Sequence, residues 1–262
     1  AQDDRVRYEL HETNHGGGAN WQHVLQSAET GLFMWAGAHD RWAPTFVEHL
    51  VPAVEQGGVV LAYGRTQRLD AEGELGSVYE DDLTNTCIEQ PGERFLDVVR
   101  RLGVCNLLHG IWRTDTLRMG SWARPTRSLF SKDSLMLAEL AFEGCYVQVP
   151  EVLFYRRSVR APETTRERVV KTGAIFSGEE GAKNPTWLAA HLAYVHDHWD
   201  ILASDRAALG RVEEAFLRAR ITPILFQRHL LNPFVREEVL PKLPSSVYKG
   251  LRTVWRRLRG AH

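Results

Sequence analysis

Four places in the chain bring together residue types that can do chemistry. The apolar run Gly31-Leu32-Phe33-Met34-Trp35-Ala36 ends in Gly37-Ala38-His39-Asp40, a buried strand that delivers an imidazole and a carboxylate at its C-terminal end. Open α/β sheets place their ligands at that edge. Asp133 opens an apolar-periodic helix carried by Leu135, Leu137, Leu140 and Ala141; taken alone it reads as a helix cap, a common use of Asp. His109 and Gly110 end a predicted strand after Leu107-Leu108, and a lone imidazole there reads as a satisfied structural histidine. Arg156 and Arg157 leave the last strand, where a guanidinium either meets an anion or forms a solvated edge.

Other candidates fail on spacing. His191, His196 and His198 share one predicted helix, but separations of five and two do not give the i, i+4 pair with glutamate that binds zinc on a helix. Asn14-His15-Gly16-Gly17-Gly18 lacks both the Lys-Ser/Thr of a phosphate loop and the dinucleotide fingerprint. Cys105 has no histidine near it in a nucleophile pattern, and no serine elbow occurs. Glu80-Asp81-Asp82 lies in a polar loop without apolar framing and reads as solvated surface.

The elements that must position the four places follow from periodicity. Arg5 to Leu10 alternates as a half-exposed strand does, and a helix follows through Trp21 to Ser27. The strand ending at Ala36, a helix over Thr45 to Val54 with Pro44 at its first turn, and the buried strand Val59 to Tyr63 make a βαβ unit. Leu69 to Gly92 reads as a surface excursion, Glu93 to Leu102 as a helix, and Tyr146–Val149 and Val152–Tyr155 as two short strands joined at Pro150. From Pro185 onward only helices are predicted: Trp187 to Asp200, Arg206 to Arg218, Ile221 to Leu231, and one from Ser246. The expected organisation is an α/β core over 1–160, a linker over 161–184 and a helical extension over 185–262.

Composition is that of a folded soluble protein and not of a disordered or fibrous one: 262 residues, 44% hydrophobic and 25% charged, without an apolar run of membrane-spanning length. Three scattered cysteines (Cys87, Cys105, Cys145) exclude a disulfide framework and favour a reducing, cytoplasmic location. The formal charge of −1 conceals an asymmetry. Lys242, Lys249, Arg252, Arg256, Arg257 and Arg259 lie beyond Leu240, and no acidic residue does. Val247, Leu251, Val254, Trp255 and Leu258 recur there at helical spacing, the pattern of a basic amphipathic helix on an anionic membrane surface or packed on the body with a solvated basic face. No nucleic-acid-binding motif accompanies the charge.

The blocks Phe33 to Pro44, Val59 to Thr66, Asn106 to Asp115, Asp133 to Ala141 and Val149 to Arg157, with Asn14 to Asn20 as a loop-to-helix entry, occur in the order and spacing of the family 2 glycosyltransferases of the GT-A fold, which the chain resembles over about residues 5–157. The resemblance implies a Rossmann-like mixed sheet flanked by helices. It also implies transfer of a sugar, with inversion, from a nucleotide-sugar donor to a hydroxyl of a glycan, lipid-linked or small-molecule acceptor. In that frame Asp133 is the general base, Asp40 with His39 holds Mg²⁺ or Mn²⁺ on the diphosphate, Asn14, Arg156 and Arg157 meet the donor, and His109 and Gly110 line the acceptor pocket.

Two departures accompany the resemblance. The family's Asp-x-Asp is Ala38-His39-Asp40 here, one carboxylate short, which a cation held by one carboxylate and substrate phosphates can accommodate. The opening strands that hold base and ribose in the family, on the order of 60 residues at roughly 30 per β-α unit, are expected to be missing from the front. A fragment, a late start and a reduced, non-catalytic relative that binds a glycan or partner protein are all compatible with that pattern.

Overall fold

The computed structural model describes residues 3, 5–80, 83–120, 127, 131–157, 167, 187–232, 239 and 242. In chain order these form α1 (Gly16–Gln26), β1 (Leu32–Met34), β2 (Arg41–Trp42), α2 (Phe46–Val54), β3 (Val59–Leu69), β4 (Leu75–Val78) and α3 (Pro91–Arg101). A 3₁₀ helix (Cys105–His109), β5 (Ile111–Arg113), α4 (Thr114–Arg118), α5 (Lys132–Leu140) and β6 (Cys145–Arg157) follow. Last come α6 (Trp187–Leu202) and α7 (Arg211–Leu225), which continues into a π-helical turn, Phe226–Leu231.

The strands make one mixed sheet in the order β1-β5-β3-β6-β2, with β4 added to β3. β3 and β6 run parallel from Val59↔Cys145 to Leu69↔Arg157. β5 is antiparallel to both β1 and β3, so β1, β3 and β6 all point the same way. The first six residues of β3 are all buried because both faces of the sheet are covered, which is why Val-Val-Leu-Ala-Tyr shows no alternation.

On one face α2 packs Phe46, Leu50 and Val54 against Ala62, Ile111, Leu153 and Phe154. The other face carries the larger core, where Phe95, Leu96, Trp112, Leu135 and Tyr146 meet Tyr194, Ile201, Leu217 and Ile221 of α6 and α7. The helical extension therefore shares a continuous apolar core with the α/β part. Two arginines stitch the helices together through carbonyl groups. Buried Arg94 donates to Ile88, Ala141 and Phe142, and Arg228 donates to Val99, Arg100 and Leu102, satisfying the open C-terminal end of α3.

Five sequence expectations differ from the structure. Arg5 to Leu10 is not a strand: Val6, Tyr8 and Leu10 are exposed, and Arg7 and Glu9 pair with Glu29 and His23 instead. Alternation makes a strand only where the backbone finds a neighbour to pair with. His109 and Gly110 do not end a strand; His109 closes the 3₁₀ helix and Gly110 precedes β5. The excursion after Leu69 contains β4, and its later part is tied inward by the Tyr63 hydroxyl donating to the carbonyls of Leu83 and Thr84. The two short strands joined at Pro150 are one strand, β6, whose register against β3 shifts between Val149 and Val152 because Pro150 has no N–H for the ladder. The helix begun at Arg206 by expectation starts at Arg211. The linker over 161–184, apart from Glu167, and the basic segment over 242–262, apart from Lys242, lie outside the described residues.

Candidate active site

The sheet's geometry decides which residues can meet. Since β1, β3 and β6 share one direction, the turn after β1 and the last residues of β6 emerge at the same edge. β5 runs the other way, so the residues just before it emerge there too. That single edge gathers Trp35 to Asp40, His109 and Gly110, and Arg156 and Arg157, at the carboxyl ends of the parallel strands. The N-terminal turn of α5 adds Asp133.

Asp40 is held by its neighbours. Its backbone N–H donates to Gly37 O at 3.2 Å, and its Oδ1 accepts from the Arg157 N–H at 3.0 Å. A Cβ at position 37 would lie 2.9 Å from Asp40 Oδ2, so glycine is what leaves room for the carboxylate over the turn. The Arg157 guanidinium donates to the carbonyls of His39, Asp70 and Ala71, so it ties the turn to the β3–β4 connection instead of reaching outward. His39 is exposed beside Asp40. Among the described residues no group of three or more His, Cys, Asp or Glu forms a metal cage. A carboxylate oxygen that accepts one hydrogen bond still has lone pairs to offer. Asp40, with His39 adjoining, fits a cation whose remaining ligands come from substrate phosphates and water.

His109 sits between the acidic and basic groups. Its Nδ1 lies 3.2 Å from Trp35 O, and because a carbonyl only accepts, Nδ1 carries the proton and Nε2 is left as an acceptor. The ring stacks on Phe154 at 4.9 Å, and Phe154 rests against Trp42 at 5.5 Å. Burial lowers the imidazole's pKa, with Asp40 and Asp133 pulling it up and Arg156 pushing it further down. All three charged groups therefore act on one ring.

Asp133 occupies the first turn of α5, where the helix dipole favours a carboxylate; the N-cap itself is Ser131, in the left-handed region at φ 56°. Its Oδ1 accepts from the Ser134 N–H at 2.9 Å. The Ser134 hydroxyl in turn meets Tyr194 of α6 at 2.7 Å, so the helical extension buttresses the turn that carries Asp133. The Cys105 thiol hydrogen-bonds with Asp133 as well; burial first, and that carboxylate next, push its pKa well up.

The remaining expected residues divide. Arg156 donates to Asn106 Oδ1 at 2.5 Å and makes no ion pair among the described residues. Gly110 is buried: a Cβ there would meet Ala62 O at 2.3 Å and Tyr63 Cβ at 2.8 Å, so the packing of the 3₁₀ helix against β3 requires glycine. Asn14 is exposed and its Oδ1 accepts from the Gly16 N–H at 2.9 Å, a local turn that opens α1. The structure adds Cys105, Asn106 and Phe154, to which the sequence assigned no site role and which reach the site through the 3₁₀ helix and the last residues of β6.

Residues 1–106 match the model of the family described as Glycosyl transferase family 2. Asn14, His39 and Asp40 lie inside the matched stretch, while His109, Gly110, Asp133, Arg156 and Arg157 lie beyond it. No curated protein matches the sequence significantly. Among solved structures, the fold is similar to that of S. aureus TarS 1–349, with a TM-score of 0.50 and 13% identity over 88% of this chain. The chain spans 58% of that structure's length. Residues 1–106 are thus similar in sequence to glycosyl transferase family 2, and the chain folds as a GT-A-like mixed sheet flanked by helices.

Proposed function

We propose that the chain transfers a sugar from a nucleotide-sugar donor to a hydroxyl of a glycan, lipid-linked or small-molecule acceptor, with inversion at the anomeric carbon. The observation that supports this is the convergence of Asp40, His109, Asp133 and Arg156 at one edge of the sheet, on a family 2 domain. Asp133 takes the proton of the acceptor hydroxyl as its oxygen attacks the anomeric carbon, and the bond from that carbon to the diphosphate breaks. His109, neutral through burial, offers Nε2 as an acceptor that orients a hydroxyl, and Phe154 and Trp42 supply an apolar wall. Arg156 places positive charge where the leaving diphosphate gains negative charge. Mg²⁺ or Mn²⁺, held by Asp40 with His39 adjoining, would supply further neutralisation of that diphosphate when bound.

The basic segment over 242–262 is proposed to dock on an anionic membrane surface, near a lipid-linked acceptor and on its cytoplasmic face. No helix among the described residues is long and apolar enough to cross a membrane. Deleting 242–262 is expected to release the protein from anionic vesicles in a sedimentation assay.

Asp133→Asn tests the reaction directly. It is expected to lower transfer by at least about 10³-fold while donor binding and the melting curve stay near those of the parent. Unchanged turnover would remove Asp133 from the role of base, and inactivity of the parent chain toward every nucleotide sugar and acceptor tried would favour a binding protein.

A further inference from the structure

Asn106 has 3% of its surface exposed, and its carboxamide makes one of the four hydrogen bonds it could make. Oδ1 accepts from Arg156 Nη1 at 2.5 Å, whereas Nδ2 is buried with no hydrogen-bond partner. A buried donor without a partner costs free energy, and native proteins keep few of them. The carboxamide is planar, so fixing its oxygen on the guanidinium turns its nitrogen away from Arg156, and both N–H bonds stay open. Arg156 itself is half-buried, has no carboxylate partner among the described residues and uses one of its donors on Asn106. The contrast is Arg157, whose guanidinium is spent on the carbonyls of His39, Asp70 and Ala71.

The two adjacent side chains therefore present several N–H donors, most of them on a full positive charge, against a single remaining lone pair on Oδ1. Such a pair selects an oxygen-rich anion and rejects an ammonium group or a metal ion. Its position says which anion. Asn106 stands on the 3₁₀ helix between Cys105, which contacts Asp133, and His109, which feels both Asp40 and Arg156. Resting on the nucleotide-sugar reading above, we propose that Asn106 is a donor-binding residue: it aims the Arg156 guanidinium through Oδ1 and gives an Nδ2–H hydrogen bond to a diphosphate oxygen of the nucleotide sugar. The diphosphate recovers what the orphaned N–H loses in the free protein, so the site favours the bound state by its own incompleteness.

Calorimetry on the full chain with UDP, GDP, CDP and dTDP in Mg²⁺, and with pyrophosphate, tests this. Asn106→Leu removes both contacts. Asn106→Asp keeps the shape and the acceptor for Arg156, deletes the donor and adds a negative charge, so undiminished binding by this variant speaks against Nδ2 even where the leucine variant folds poorly. Each is expected to weaken the best-bound nucleotide diphosphate and pyrophosphate alike by roughly 10- to 100-fold. Combining Asn106→Leu with Arg156→Gln is expected to add little to either single loss, because one residue acts partly through the other. A parent chain that binds a nucleotide diphosphate, with Asn106→Asp binding it equally well, overturns the role of Asn106 and leaves the nucleotide-sugar reading standing. Loss toward pyrophosphate but not the nucleotide overturns the donor assignment. A parent chain that binds none of the four nucleotides overturns the reading and the proposal together.

Discussion

The backbone N–H of Arg157 donates to Oδ1 of Asp40 at 3.0 Å, joining the end of β6 to the turn after β1. These residues are 117 positions apart in the chain. Parallel direction of β1, β3 and β6 brings them to one edge, and the Arg157 guanidinium then locks the turn through three carbonyl groups. An arginine pair that looks uniform in sequence is thereby split into one member that locks the turn and one that donates to Asn106.

Gly37→Ala is expected to displace the Asp40 carboxylate, since the added Cβ would stand 2.9 Å from Oδ2. The fold should survive, because the contact is with a side-chain end in an exposed turn. Donor affinity in Mn²⁺ is expected to fall several-fold with the melting temperature changed by only a few degrees. Equal affinity for UDP with and without Mn²⁺, in the parent and the variant alike, would separate Asp40 from cation binding.

Gly110→Ala is expected to act on the fold instead. Its Cβ would meet a backbone carbonyl, Ala62 O, at 2.3 Å in the centre of the sheet, where nothing flexible can give way. A loss of about 2 kcal/mol or more, read from urea unfolding, is expected. A variant as stable as the parent would show that the 3₁₀ helix can move off β3.

Acid is expected to weaken the helical extension. His198 is 1% exposed with Nδ1 bonded to Tyr194 O, and burial lowers its pKa to about 4; burial, with Arg228 and the neighbouring imidazoles, lowers that of His229 to about 3. Both are neutral in the fold, while an unfolded histidine titrates near 6.5. Above about pH 6.5 neither affects stability. Below it the unfolded chain takes up protons that the fold refuses, so stability falls progressively toward pH 4, by about 2 kcal/mol at pH 5 from His198 alone. Urea midpoints at pH 7 and pH 5 measure this, and His198→Leu should flatten the dependence.

Thiol reactivity gives a fourth prediction. Thr86 N–H donates to Tyr146 O at 3.0 Å and the Tyr146 N–H returns to Thr86 Oγ1 at 2.9 Å, which sets Cys87 beside Cys145. Desolvation of the sulfur, then a hydrogen bond with the Cys145 thiol, push Cys87 up to about 12. Cys87 is exposed, yet at pH 8 it should react with an aromatic disulfide reagent more slowly than a free cysteine, and guanidinium should abolish the difference. Fast labelling of Cys87 in the native protein would contradict the pairing.

The apolar runs, glycine breaks and motif order of this chain were enough to specify a mixed α/β sheet and most of its helices, because periodicity of buried residues is a local property. They also placed Asp40 at a strand end and Asp133 in a first helical turn, where short-range rules hold. What the tertiary structure alone decided is which of the candidate residues meet. Arg156 and Arg157 are identical in type and adjacent in sequence, and opposite orientation on a strand separates them. Gly110 stands beside His109 in the sequence, and only the fold shows that it must be glycine, because a Cβ there would meet a carbonyl 48 positions earlier in the chain. Asn106 opens a sequence block but has no side-chain role legible there, since an unsatisfied amide is defined only by what surrounds it. Arg5 to Leu10 shows the same limit from the other side: an alternating pattern permits a strand, and only a neighbouring backbone makes one.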